Sequence, residues 1–149
     1  MELKFKAVRP QMGDTIPLPF YASAGAAAMD LHACVDAPVT IAPRALVSVP
    51  TGIAIALPSA EYVALVFARS GLGIKHGVCL SNGVGVIDSD YRGEIGVGLT
   101  NLSDTPYTVQ PGDRIAQLAV MPVVRAALVR VEALDETDRG AGGFGSTGK

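Results

Sequence analysis

The chain has 149 residues, and its 12 Lys plus Arg against 14 Asp plus Glu leave a net charge of −2. That length bounds it to one domain with a real core, and the charge balance gives no support for a nucleic-acid groove, which needs a basic face. Hydrophobic residues make up 49 % and mean hydropathy is +0.36, yet no apolar run approaches the roughly 18 residues of a membrane span, so the surplus points to a subunit interface.

Met1–Pro10 alternates Leu3, Phe5 and Ala7 with Lys4 and Lys6, the period of an N-terminal strand and not of a secretory signal. Cys34 and Cys79 fit free thiols in a reducing compartment, and a cytoplasmic protein is expected. Strand-like runs follow at Met29–Cys34, Val39–Ile41, Leu46–Leu57, Tyr62–Ala68 and Val78–Ser81. A helix of a turn or two is expected after Ser70 in the stretch RSGLGIKHG, with Ser70 as its N-cap. The stretch Asn82–Gly98, NGVGVIDSDYRGEIGVG, alternates on both sides of a polar turn and reads as a β-hairpin. Tyr107–Gln110, Ile115–Val120 and Ala127–Ala133 complete the set. Short strands at regular spacing with Gly and Pro between them make an all-β sandwich or barrel.

The candidate chemistry sits in Asn82–Gly98. Gly83, Gly85 and Gly96 would weaken an ordinary strand, and glycine inside a strand marks close approach by a ligand or another backbone. Asp88 shares a strand face with Val84 and Val86, and Tyr91 follows three residues later. A carboxylate ionised at neutral pH can hold a water molecule and take its proton. Asp90 fits the ordinary role of a turn aspartate. Arg69, Ser70 and Gly71 lie where a strand hands over to the short helix, a place that favours anions. Gln117 shares a strand face with Ile115 and Ala119, an odd position for an amide without a partner. The tail Arg139–Lys149, RGAGGFGSTGK, is a linker by glycine content. Its Arg139, Phe144, Ser146 and Thr147 are nonetheless sticky groups for a linker, and an arginine, an aromatic ring and backbone N–H groups freed by glycine are the parts of a lid over a base and a phosphate chain.

Five segments together resemble the trimeric deoxyuridine triphosphatases (dUTPases): Gly25–Leu31, Ala68–Gly73, Asn82–Gly98, Gly112–Gln117 and Arg139–Gly148. Two positions depart from the family's habit, Ala28 where glycine is usual and Ala68 where proline is usual. Neither removes a reactive group. The resemblance implies an all-β, jelly-roll-like β-barrel subunit with one short helix (residues 1–138), a glycine-rich lid arm (residues 139–149), and a homotrimer with shared active sites. A threefold ring closes through heterologous interfaces, which would absorb the apolar surplus.

The implied reaction is dUTP plus water to dUMP and pyrophosphate, with Mg2+ carried on the triphosphate. It would supply dUMP for thymidylate synthesis and keep uracil out of DNA. In that resemblance Asp88 is the general base, while Asn82, backbone groups of Val86, Ile87 and Asp88, and Gly96 read the uracil edge. Tyr91 packs on the sugar where a ribose hydroxyl would collide. Arg69, Ser70, Gly71 and Gln117 serve the phosphates, Arg139 meets the γ-phosphate, and Phe144 stacks on the base with Gly145 and Ser146 beside it. Asp30 acts on magnesium through water only. No nucleic-acid or membrane partner is implied. The rival readings are a dCTP deaminase-type enzyme of the same fold and a nucleotide-binding jelly roll without catalysis.

Overall fold

A computed structural model describes residues 1–143. Its elements are short strands and a single helix, all linked through antiparallel pairing. Strand β1 (Lys4–Ala7) pairs with β5 (Ile53–Ala56), and β3 (Val39–Ile41) with β10 (Tyr107–Val109). A four-stranded sheet runs β2 (Met29–His32), β11 (Arg114–Pro122), β6 (Tyr62–Ala68), β8 (Gly85–Ile87) in spatial order. A three-stranded sheet runs β4 (Leu46–Pro50), β9 (Gly96–Asn101), β7 (Val78–Leu80). Helix α1 (Ser70–His76) joins β6 to β7.

The period of two decides which side chains go inward. Strand β9 buries Val97 and Leu99, β6 buries Ala64 and Val66, and β11 buries Ala116 and Leu118, in one cluster with Leu31, Val49 and Ile53. Each full aliphatic burial is worth about 1.5–3 kcal/mol, so one continuous core holds the sheets face to face. The sheets wrap that core without closing into a hydrogen-bonded ring. The all-β expectation with one short helix is met.

Four local expectations are corrected. The run Leu46–Leu57 is two strands, because the chain turns at Gly52 with φ +72°, and a Cβ there would meet Cys34 Sγ at 2.7 Å. The arms of Asn82–Gly98 do not pair with each other. Strand β8 pairs with β6, aligning Ile87 with Ala64, whereas β9 is flanked on both sides by β4 and β7. With both ladders of β9 filled, β8 has no edge of it to join, and the link between them crosses from one sheet to the other.

Ser70 is the first helical residue; Arg69 holds the N-cap position in extended conformation with no side-chain cap. The stretch Ala127–Ala133 forms no strand, and Leu128 is fully exposed. Alternation makes a strand only where another strand offers a ladder, and the body of a single chain offers this stretch none.

Candidate active site

Residues of β8, those flanking it and the start of β9 enclose a hollow of about 240 Å³, with Asn82, Val86, Ile87, Asp88, Tyr91 and Gly96 among its walls. Six of the residues singled out from sequence thus come together. Gly85 and Val66 form its floor on the β8–β6 side. Asp88 stands where β8 ends, with its backbone carbonyl accepting the Tyr91 N–H at 3.2 Å, so that Asp90 takes the turn. The Asp88 carboxylate is exposed. It also borders a second, open hollow of about 400 Å³ with Val63 and Arg125. The Tyr91 hydroxyl donates to the Glu94 carbonyl at 3.0 Å, which lays the ring along the wall.

The predicted phosphate-side residues gather elsewhere, on β2, β11 and the end of β6. Asp30 on β2 is only 2 % exposed. Its Oδ1 accepts Arg69 Nε at 3.1 Å and Gln117 Nε2 at 3.4 Å, and its Oδ2 accepts Arg114 Nη1 at 3.1 Å. The partner that the Gln117 amide needed is therefore Asp30. Two guanidinium groups around one carboxylate leave a net positive cluster with N–H groups to spare, since each arginine carries five donors. Arg69 also donates to the Arg114 carbonyl at 3.1 Å. Such a donor set suits phosphate oxygens and not a bare cation. No three His, Cys, Asp or Glu side chains group for a metal among the described residues.

Arg114 is a member of the cluster that the sequence pattern does not single out. Its neighbour Asp113 accepts the Gln110 N–H at 2.7 Å. Glu94 and Arg9 were missed as well. Glu94 receives Arg9 Nε at 2.7 Å and Nη2 at 3.2 Å, and the Gly52 N–H at 2.9 Å. The Arg9 hydrogen bond holds the Glu94 carboxyl below the usual range against the opposing effect of burial. No local pattern announces a contact across 85 residues. Arg139 donates Nε to the Gly142 carbonyl at 2.9 Å, within its own segment. Phe144, Gly145 and Ser146 lie outside the described residues.

His32 neighbours the cluster on β2, stacked on Phe20 with ring centroids 5.8 Å apart. Burial pushes its imidazole below the ordinary value; Asp30 opposes this, and Arg114 and Arg69 add to it. The unfolded chain then takes up this proton at a higher pH than the folded one. Stability is present in full above about pH 6.5 and falls as pH drops through the lower folded value, by at most about 1.4 kcal/mol per pH unit. Thermal unfolding followed from pH 7.5 to pH 5.5 should show that loss, and His32→Leu should flatten it.

The family model described as dUTPase matches residues 14–148. The deoxyuridine 5'-triphosphate nucleotidohydrolase of Idiomarina loihiensis is 50 % identical over 148 residues, covering 99 % of this chain and 98 % of that one. That of Acinetobacter baumannii (strain AYE) is 48 % identical, covering 100 % and 99 %. Among solved structures, the Staphylococcus bacteriophage 80alpha dUTPase with dUpNHpp has a TM-score of 0.86 at 24 % identity, covering 99 % of each chain. A dUTPase from phage phi11 of S. aureus, whose structure is said to reveal coordination of a structural Mg(II) ion, has a TM-score of 0.78 at 20 % identity, covering 91 % and 100 %. Those two share the fold described above, and the near-half identity over full length goes further: the chain belongs to the dUTPase family.

Proposed function

We propose that the chain hydrolyses dUTP to dUMP and pyrophosphate, with Asp88 as the general base. The observation that carries this is the gathering of Asn82, Val86, Tyr91 and Gly96 around one hollow with Asp88 on its rim. The base lies in the hollow against Val86, and Asn82 with the backbone of Val86, Ile87, Asp88 and Gly96 reads its edge. A site built for one hydrogen-bonding edge rejects an analogue that leaves its groups unpaired. Asp88 holds a water in line with the α-phosphorus and takes its proton as the oxygen–phosphorus bond forms. The bond from the α-phosphorus to the bridging oxygen breaks, and pyrophosphate leaves with the electron pair. Such transfers rest mainly on positioning and charge stabilisation.

Magnesium enters as part of the substrate, held by phosphate oxygens and its own waters. Asp30 meets it no closer than through water, because its oxygens already hold Arg69, Arg114 and Gln117. The cationic cluster serves the phosphates together with Ser70 and Gly71, and the tail residues Arg139, Phe144, Gly145 and Ser146 close over the nucleotide.

The spacing of the two groups supports a homotrimer with shared sites. Asp88 lies beside Val63 at one end of β6, and Arg69 follows Ala68 at the other. Six residues of strand span about 20 Å, farther than one triphosphate reaches. The Asp88 of one copy therefore works with the Arg69 cluster of another. The exposed stretch that includes Leu128 and Leu134 finds its covering on a neighbouring copy. Cys34 and Cys79 are free, in keeping with a cytoplasmic setting. No helix among the described residues is long and apolar enough to cross a membrane.

Incubation with each deoxynucleoside triphosphate and magnesium, with pyrophosphate and ammonia both measured, tests the proposal. Pyrophosphate from dUTP alone is the expected result. Ammonia from dCTP would assign the deaminase chemistry instead, and binding of dUTP without pyrophosphate would leave a nucleotide-binding module.

A further inference from the structure

The wall that carries Tyr91 is fastened from a distance. Glu94 and Ile95 are tied to the turn between β4 and β5: Gly52 N–H donates to Glu94 Oε1 at 2.9 Å, Ile95 N–H to the Ile53 carbonyl at 2.8 Å, and Thr51 N–H and Oγ1 to the Ile95 carbonyl at 3.1 and 2.6 Å. Arg9 completes the clamp by gripping both Glu94 oxygens, and Val8 N–H donates to the Gly52 carbonyl at 2.8 Å. The N-terminal segment, the β4–β5 turn and the Glu94 peptide are therefore one rigid block. The Tyr91 hydroxyl hangs from that block through the Glu94 carbonyl.

Gly93 leaves the room in which the ring lies. A Cβ built on Gly93 would sit 2.6 Å from Tyr91 Cζ and 3.0 Å from its Cε2, and the three nearest atoms in its way all belong to Tyr91. The φ of Gly93 is not among the positive ones, so the backbone does not demand glycine there. The ring does.

We infer that Arg9 and Gly93 are positioning residues that set which pentose the hollow accepts, Arg9 by holding Glu94 and Gly93 by seating the Tyr91 ring. This rests on reading the hollow as a deoxyuridine slot. Neither residue lines the hollow. With the ring seated, a ribose 2′-hydroxyl meets its face; with the ring displaced, that obstacle is gone. Lysine at position 9 would retain the charge but not the two-pronged grip, because a bidentate pair needs the planar guanidinium.

The test is kcat/KM for dUTP and for UTP in the wild type, Gly93→Ala, Arg9→Met and Arg9→Lys. The dUTP-to-UTP ratio should fall roughly tenfold or more in Gly93→Ala, with dUTP KM raised, dUTP kcat little changed and UTP kcat/KM raised. Arg9→Met should fall in the same direction, and Arg9→Lys should lie between it and the wild type. An unchanged ratio in Gly93→Ala overturns the inference. So does failure of that variant to fold, since only a side chain free to swing out stands in the way. If Arg9→Met does not fold, Arg9→Lys against Gly93→Ala decides the role of Arg9, and a wild-type ratio in Arg9→Lys removes it. A wild-type protein that releases no pyrophosphate from dUTP would instead overturn the deoxyuridine reading itself.

Discussion

Replacing Asp88 by asparagine is expected to lower pyrophosphate release from dUTP by about 100- to 10,000-fold, the range usual for losing a positioned general base. Asparagine keeps the size of the side chain and can still accept a hydrogen bond from water. It cannot take the proton. Binding of a non-hydrolysable dUTP analogue should stay within a few-fold or tighten, since removing a negative charge beside a polyanion lessens repulsion. Folding should not change, because the carboxylate is exposed on the rim of the hollow, and substitutions at such places usually shift stability by no more than about 0.5 kcal/mol. Single-turnover pyrophosphate release together with analogue titration separates the two effects. A variant that turns over at the wild-type rate would mean that another group activates the water.

The second large effect is expected at Asp30. Asp30→Ala takes away the acceptor of Arg69, Arg114 and Gln117 at once, and leaves two guanidinium groups facing each other over a buried gap. Breaking a buried ion pair from one side costs about 3–5 kcal/mol. The low end applies here, because the Arg114 side chain is 47 % exposed and can turn toward water. A loss of about 3 kcal/mol should lower the unfolding midpoint by about 6–12 °C. Asp30→Asn, which keeps one acceptor and the shape, should cost less. Urea unfolding of both variants against the wild type measures this directly. Equal midpoints for Asp30→Ala and the wild type would mean that the arginines find other partners and that the cluster is not organised around this carboxylate.

These two sites differ in how far they could be read in advance. Asp88 lies in a local run of alternating and turn residues, and its neighbours in the hollow (Asn82, Val86, Tyr91, Gly96) are all within a few residues of it in the chain. Asp30 was named, but its partners were not, because Arg69 and Arg114 reach it across 39 and 84 residues. The same holds for Arg9 and Glu94. Charged pairs of this kind are made by the fold that brings strands together, and no periodicity marks them beforehand.

The amino-acid order by itself determined the all-β character, nearly every strand, the single helix among the described residues and the stretch that lines the hollow. Alternation, turn residues and glycine spacing act over a handful of residues and need no distant partner. Only the folded chain decided that β8 and β9 belong to different sheets and that Ala127–Ala133 has no strand to join. Each of those depends on which edges remain unfilled once the core has closed, a long-range competition among hydrogen-bonding ladders that no short stretch of chain encodes.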